Sequence, residues 1–214
     1  MQPDFELNHR CKSFPLNAAP VQASQIAARG WNVLRDDLPY PLAVIRQSAL
    51  EHNARWMQDY AARRSIQFAP HGKTTMSPQL FDLQLKGGAW GLTFATIYQL
   101  SVGVEVGMRR AIIANQVVAP SDLDGLDALL AQHSDLRVWF LVDSIAQLRA
   151  IEAWAQARKS QRVFDVLLEV GIPGQRTGVR TFDEAMALAQ AIHASGAARL
   201  GGIECYEGGL TQCN

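Results

Sequence analysis

The densest chemistry in the sequence lies in residues 69–76, APHGKTTM, directly after the apolar run SIQF. A lysine that ends a buried strand is expensive unless its charge is paired or its amine is used covalently. Burial also frees the amine to attack an aldehyde, so Lys73 is a candidate Schiff-base lysine. Two other readings fit the same residues. Gly72-Lys73-Thr74 could end a phosphate-cradling loop of the form G-x-x-x-x-G-K-[ST]. Its first glycine would then fall on Gln67, and Pro70 would remove one N–H from the cradle. Lys73 could also be a solvated lysine in a strand-to-helix loop. His71 precedes Lys73 by two residues and faces the same side of an extended backbone. It suits a hydrogen-bond partner for the lysine or a substrate carboxylate, and equally a structural histidine.

The elements that must position these residues repeat along the chain. Residues 1–40 are irregular, with Pro3, Pro15, Pro20 and Pro39 and one short helical stretch at Val21–Arg29. From residue 41 a regular pattern begins. The run LAVIR leads to Ser48, which with Glu51 forms a capping-box pattern ahead of a helix striped by Leu50, Ala54, Met57 and Ala61. Short apolar runs then alternate with amphipathic helices. SIQFAP, AWGLTFAT, AIIANQVV, VWFLVDS, FDVLLEVG and LGGIECYEGG are the runs. They are apolar almost throughout, as expected of parallel strands covered on both faces. Helix stops are marked by Gly87-Gly88, Gly107 and Gly196.

Repeated βα units close either as an open doubly wound sheet or as a (β/α)8 barrel. No strand is followed by G-x-G-x-x-G, so the dinucleotide-binding form has no support. Polar and glycine residues gather after the strands: His71-Gly72-Lys73, Thr93, Gln116, Asp143-Ser144, Gln175-Arg176 and Tyr206-Glu207. Barrel active sites sit there. The fold expected is therefore an α/β, TIM-type barrel. About six strands are legible of the eight such a barrel needs. The expectation is a partial barrel over residues 41–214, a fragment of a longer protein.

Composition narrows the partners. Twenty basic residues balance twenty acidic ones, which argues against a nucleic-acid coat or a basic membrane surface. With 48% hydrophobic and 19% charged residues the chain is globular in type. No apolar run reaches the roughly 18–20 residues needed to span a bilayer, and the start MQPDFELNHRCKSF lacks a signal-peptide pattern. Cys11, Cys205 and Cys213 make neither a disulfide framework nor a metal spacing, which fits a reducing cytoplasm. His9, His52, His133 and His193 build no metal site.

The segment FAPHGKTTMSPQL resembles the cofactor-lysine segment of the D-threonine aldolase, D-serine dehydratase and amino-acid deaminase family. These are fold-type III enzymes that use pyridoxal 5'-phosphate (PLP) and share an alanine-racemase-like N-terminal barrel. The family pattern R-P-H-x-K-T-H-K reads here Ala69-Pro70-His71-Gly72-Lys73-Thr74-Thr75-Met76. Ala69, Thr75 and Met76 depart from it and point toward the deaminase-like branch. The resemblance continues through GAWGLTFATIYQ, FLVDS, LLEVGIPGQRTGVR and GGIECYEGG, in order, over about Val33 to Gly209.

The resemblance implies roles residue by residue. Lys73 would carry the cofactor and then return a proton to the substrate as a base. Arg176, in GIPGQRTG, matches the arginine that reaches the phenolic oxygen of the cofactor ring. Glycines 171, 174 and 178 would let the backbone turn there. Tyr206, in ECYEGG, matches the aromatic that lies against the ring, and His71 would bind beside it. The implied parent is a lyase on D-configured β-hydroxy amino acids, acting by dehydration or by retro-aldol cleavage. The implied full-length protein is a homodimer with a C-terminal β-domain, absent here, that carries a divalent metal in some members. The alternative function is a non-catalytic, single-domain PLP carrier. The 214-residue chain alone is expected to be inactive.

Overall fold

A computed structural model describes residues 4–208. Cys213 and the closing LTQCN lie outside the described residues. The chain forms two compact units, residues 1–57 and 58–214, and the division at residue 40 expected from composition falls within the first of them.

In the first unit, β1 (Glu6–Leu7) pairs antiparallel with β2 (Val21–Gln22). A 3-10 helix follows at Ala23–Arg29, where the sequence suggested a helical stretch from Val21. Asp4 holds its start by accepting from the Ser24 hydroxyl at 2.6 Å. Phe14 and Val21 are buried, with Phe14 edge-on to Trp31 at 5.4 Å. LAVIR forms no strand. Val44 and Ile45 lie exposed, because no neighbouring backbone among the described residues pairs with them. Helix α1 (Gln47–Arg63) starts before Ser48, which therefore sits inside its first turn and does not cap it. Of the stripe Leu50, Ala54, Met57 and Ala61, only Ala61 is buried.

In the second unit, five parallel strands lie in sequence order. They are β3 (Leu92–Phe94), β4 (Arg110–Gln116), β5 (Arg137–Val142), β6 (Phe164–Val170) and β7 (Ala198–Cys205). Helices α2 (Pro78–Lys86), α3 (Ile97–Glu105), α4 (Pro120–Gln132), α5 (Ile145–Arg158) and α6 (Phe182–Ala194) alternate with them. The caps explain where the helices begin. The side chains of Ser77, Thr96 and Ser144 accept the third amide of α2, α3 and α5, and Thr181 with Glu184 closes a full capping box on α6.

One continuous core lies between sheet and helices. Phe94, Phe140, Phe164, Leu100, Leu126 and Ile151 are almost fully buried in it, each worth about 2 kcal/mol of transfer free energy. Between α4 and α5, Arg158 and then the Trp154 indole donate to Asp124, holding its carboxyl down to about 2.

This is an α/β fold with a five-stranded parallel sheet, and the barrel is incomplete among the described residues. Of the six expected strands, the first, SIQFAP, forms no strand, and just after it His71 makes an isolated bridge with Thr93. Ser65 adopts a positive φ of 53° and Pro70 has no N–H, so a regular ladder cannot run through the segment. A second irregularity lies in β7. Val166 pairs with Leu200 but Leu167 pairs with Gly202, so Gly201 is bulged. Gly201 must be glycine: a Cβ there would sit 2.5 Å from the Trp139 indole nitrogen. No helix among the described residues is long and apolar enough to cross a membrane.

Candidate active site

Four of the five parallel strands end in polar groups that meet at one end of the sheet. Lys73 opens a turn directly after the His71–Thr93 bridge. Main-chain bonds fix that turn: the Gly72 amide donates to the Thr93 carbonyl at 2.9 Å, and the Thr93 amide donates to the Pro70 carbonyl at 2.8 Å. The Thr93 hydroxyl, a weaker sequence candidate, donates to the Ala69 carbonyl at 2.8 Å and so is structural. Gly72 threads between two buried rings. A Cβ at this position would lie 2.5 Å from Phe94 and 2.8 Å from Phe81. That close approach explains the glycine without a phosphate cradle. Lys73 itself is exposed, so burial is not what would activate it here, contrary to the reasoning from strand position.

Arg176 stands in the loop between β6 and α6. The loop is closed at its base by Val179, whose amide donates to the Glu169 carbonyl at 2.9 Å and whose carbonyl accepts from the Gly171 amide at 2.9 Å. Gly178 turns it with φ +97°, which a side chain would resist. The Arg180 guanidinium donates to the Gln175 carbonyl at 3.2 Å from below.

Side chains from three strand ends then clamp the loop. The Thr177 hydroxyl donates to Glu169 at 2.6 Å, and the Gly178 amide donates to Asp143 at 3.1 Å. The Gln116 amide nitrogen bridges those two acids, donating to Asp143 at 3.1 Å and also to Glu169. Glu169 is only 2% exposed. Asp143 holds this loop, and Ser144 caps α5. Gln99 serves the backbone, accepting from the Ala95 amide at 2.9 Å.

The Arg176 guanidinium lies 4.4 Å above the Tyr206 ring. Such a contact holds both groups by cation–π attraction. Arg176 and Tyr206 line one cleft with Glu169, Gly171, Ile172 and Thr177. His71 belongs to the same electrostatic neighbourhood: burial first, then the charges of Lys73 and Arg176, push its imidazole below the usual histidine value. The structure thus brings Lys73, His71, Arg176 and Tyr206 to one end of the sheet.

Two carboxyls here were not singled out from the sequence. Glu169 and Glu204 are register partners on β6 and β7. The missed signal is an acidic residue inside an otherwise apolar parallel strand, which is costly unless something holds it. Among the described residues, no group of three or more His, Cys, Asp and Glu side chains could hold a metal.

Comparison with known proteins places this geometry in a family. Residues 45–208 match the family profile described as alanine racemase, N-terminal domain. The D-threo-3-hydroxyaspartate dehydratase of Delftia sp. (strain HT23) is 30% identical over 173 residues, covering 80% of this chain and 44% of that protein. The D-threonine aldolase of Arthrobacter sp is 30% identical over 172 residues, covering 79% and 44%. The crystal structure of D-threonine aldolase from Filomicrobium marinum superposes with a TM-score of 0.69 at 30% identity, covering 78% of this chain and 44% of that one. The chain therefore spans less than half the length of these relatives. With its parallel βα sheet, its lysine turn after the His71 bridge and a match across most of its length, the chain belongs to the alanine racemase N-terminal domain family.

Proposed function

We propose that this chain is the cofactor-bearing βα portion of a PLP-dependent lyase acting on D-configured β-hydroxy amino acids. The observation that carries the reading is the convergence of Lys73, His71, Arg176 and Tyr206 in a chain whose relatives are named for D-threonine and D-3-hydroxyaspartate chemistry. The residues present fit the cofactor. Lys73 offers an accessible amine, and Arg176 offers a guanidinium that makes no ion pair among the described residues. An aldehyde carrying an anionic oxygen matches that pair of groups.

When bound, PLP supplies the electron sink that lets a bond at the substrate Cα break. Lys73 would hold the cofactor and afterwards move one proton at the substrate Cα. Arg176 would bind an anionic oxygen of the cofactor with a planar fork that lysine lacks. Tyr206 would lie against the bound group, and the guanidinium above it holds the tyrosine in place. His71, whose imidazole is held below its usual value, would offer one donor and one acceptor beside Lys73. Dehydration and retro-aldol cleavage share these steps and differ in the group that assists the β-hydroxyl.

The test is borohydride reduction of the chain with PLP, followed by peptide mapping. The label is expected on Lys73 and absent from K73A, which loses a solvated side chain and keeps its stability within about 0.5 kcal/mol. Label on Lys86, or on any other lysine, overturns the assignment. Assays on D-threonine, D-serine and D-threo-3-hydroxyaspartate test the lyase activity. Cofactor labelling of Lys73 in a full-length protein that turns over none of the three would favour a non-catalytic carrier.

A further inference from the structure

The loop that carries Arg176 is gripped on two sides, and the carboxylates account for one of them. Glu169 and Asp143 hold Thr177 and Gly178. The preceding stretch, residues 173–176, lies exposed. Among the described residues, Arg180 is the one side chain that hydrogen-bonds to residues 172–176. Its Nη1 donates to the Ile172 carbonyl at 2.5 Å. Its Nη2 donates to the Gln175 carbonyl at 3.2 Å and to the Arg176 carbonyl at 3.3 Å. A guanidinium carries its N–H donors in a planar fork, so one side chain can reach several carbonyls at once. Arg180 makes no ion pair among the described residues, and its charge rests on those carbonyls.

Arg180 can do this because its root is fixed. The Val179 main chain before it is bonded to Glu169 and Gly171 at the base of the loop. Its own amide donates to the Glu184 carboxylate at 2.7 Å, and the Thr181 amide after it donates to the same oxygen at 3.1 Å. The first turn of α6 therefore anchors the guanidinium. Gly171 leaves its path open, since a Cβ there would lie 2.5 Å from Arg180 Nη1.

We propose that Arg180 is the positioning residue for Arg176, holding it by its main chain so that its guanidinium stays free for an anionic oxygen of the ligand. The grip on the Arg176 carbonyl fixes where the side chain starts. That side chain then lies over the Tyr206 ring at 4.4 Å, in the cleft that both residues line. The grip uses the Arg176 carbonyl and none of its N–H donors. A cation set in place before the ligand arrives avoids the ordering cost of a mobile one. The inference rests on the function proposed above for the identity of the ligand. The hold on the loop does not depend on it.

The experiment is a double-mutant cycle on PLP affinity, with R180K, R176A and the pair each titrated by absorbance. R180K keeps the charge and loses the fork. It is expected to weaken PLP binding by about tenfold, the weight of one charge-assisted hydrogen bond misplaced. In the R176A background the same change should cost less than about twofold, because the residue that Arg180 acts through is gone. A merely structural arginine would weaken binding equally in both backgrounds. The cofactor-free arm is limited tryptic digestion, with the cut after Arg176 followed by mass. That cut should run several-fold faster in R180K.

Equal losses in the two backgrounds, or no loss from R180K, overturn the positioning role. Unchanged cleavage after Arg176 overturns the hold on the loop. R180Q runs the same cycle should R180K fail to fold. If wild type binds no PLP, or R176A binds it as tightly as wild type, the cofactor role of Arg176 falls, while the digestion still decides whether Arg180 holds the loop.

Discussion

The turn that carries Lys73 is tied to β3 by main chain. Its bonds run between the amides and carbonyls of Gly72, Thr93 and Pro70, and its glycine fits between Phe81 and Phe94. The loop that carries Arg176 is tied by side chains. Gln116, Asp143 and Glu169, from three different strands, hold Thr177 and Gly178. The first arrangement is made of main-chain groups, and the second of acids and amides at the ends of side chains. The difference teaches that a reactive amine and a binding cation in one site can be positioned by separate means, and so be perturbed separately.

Gly72→Ala should have the largest effect. Its Cβ would meet two rings that have no room to move, so unfolding in urea should show a loss of about 2–3 kcal/mol. The Arg176 loop should keep its resistance to tryptic cleavage in this variant. Faster cleavage at Arg176 would mean that the two regions are not held separately.

Glu169→Ala should reverse that pattern. It strands the Thr177 hydroxyl and removes one of the two acceptors of the Gln116 amide, at a cost of about 1–3 kcal/mol, and tryptic cleavage at Arg176 should accelerate. A variant as stable and as resistant as wild type would show that the loop is held by Asp143 and its own backbone alone.

The smallest effect belongs to His71→Gln. The imidazole sits below its usual value because burial, then Lys73 and Arg176, disfavour its positive form. Its contribution to stability is present above the ordinary histidine pKa and is lost as pH falls through the lowered one. The thermal midpoint of H71Q should therefore decline less than that of wild type on the mildly acidic side. Superimposable profiles would remove His71 from the field of the two cations.

Much of the second unit is legible from the chain because its signals are local. The runs that became β3 to β7 depend on residues close together in the chain, whereas the caps at Ser77, Thr96, Ser144 and Thr181 went unread and the one read, at Ser48, does not form. LAVIR and SIQF mislead for a nonlocal reason. Apolar, β-branched composition shows what a segment could pair with, and pairing also needs a neighbour and an unbroken row of N–H groups. The same division runs through the site. Lys73 and His71 stand out because they share one short motif, and Arg176 and Tyr206 stand out through resemblance. The clamp of Gln116, Asp143 and Glu169 spans 53 residues from first to last, and nothing in the spacing announces it. Lys73 also shows the limit of inference from strand position, since its side chain reaches solvent.

The bulge at Gly201 makes the site a matter of parity. In a strand, side chains alternate between faces, so a shift of one residue exchanges the two sets. Leu200 and Ile203, three residues apart, line the same apolar groove against α6 because the bulge absorbs the odd residue. That places Glu204 and Tyr206 on the opposite face, with Glu169 and Arg176. Deleting Gly201 would remove the bulge and leave Leu200 and Ile203 two residues apart, still on one face of a regular strand. A regular ladder through all of residues 200–203 would instead turn one flank over. With Leu200 kept in the groove, Ile203 and Cys205 would then face the site, and the acid and the tyrosine would face the helices. Point substitutions in this stretch change one contact at a time. A one-residue insertion that no second bulge absorbed would exchange every contact after it, so the register of β7 is under a stricter constraint than most of its letters.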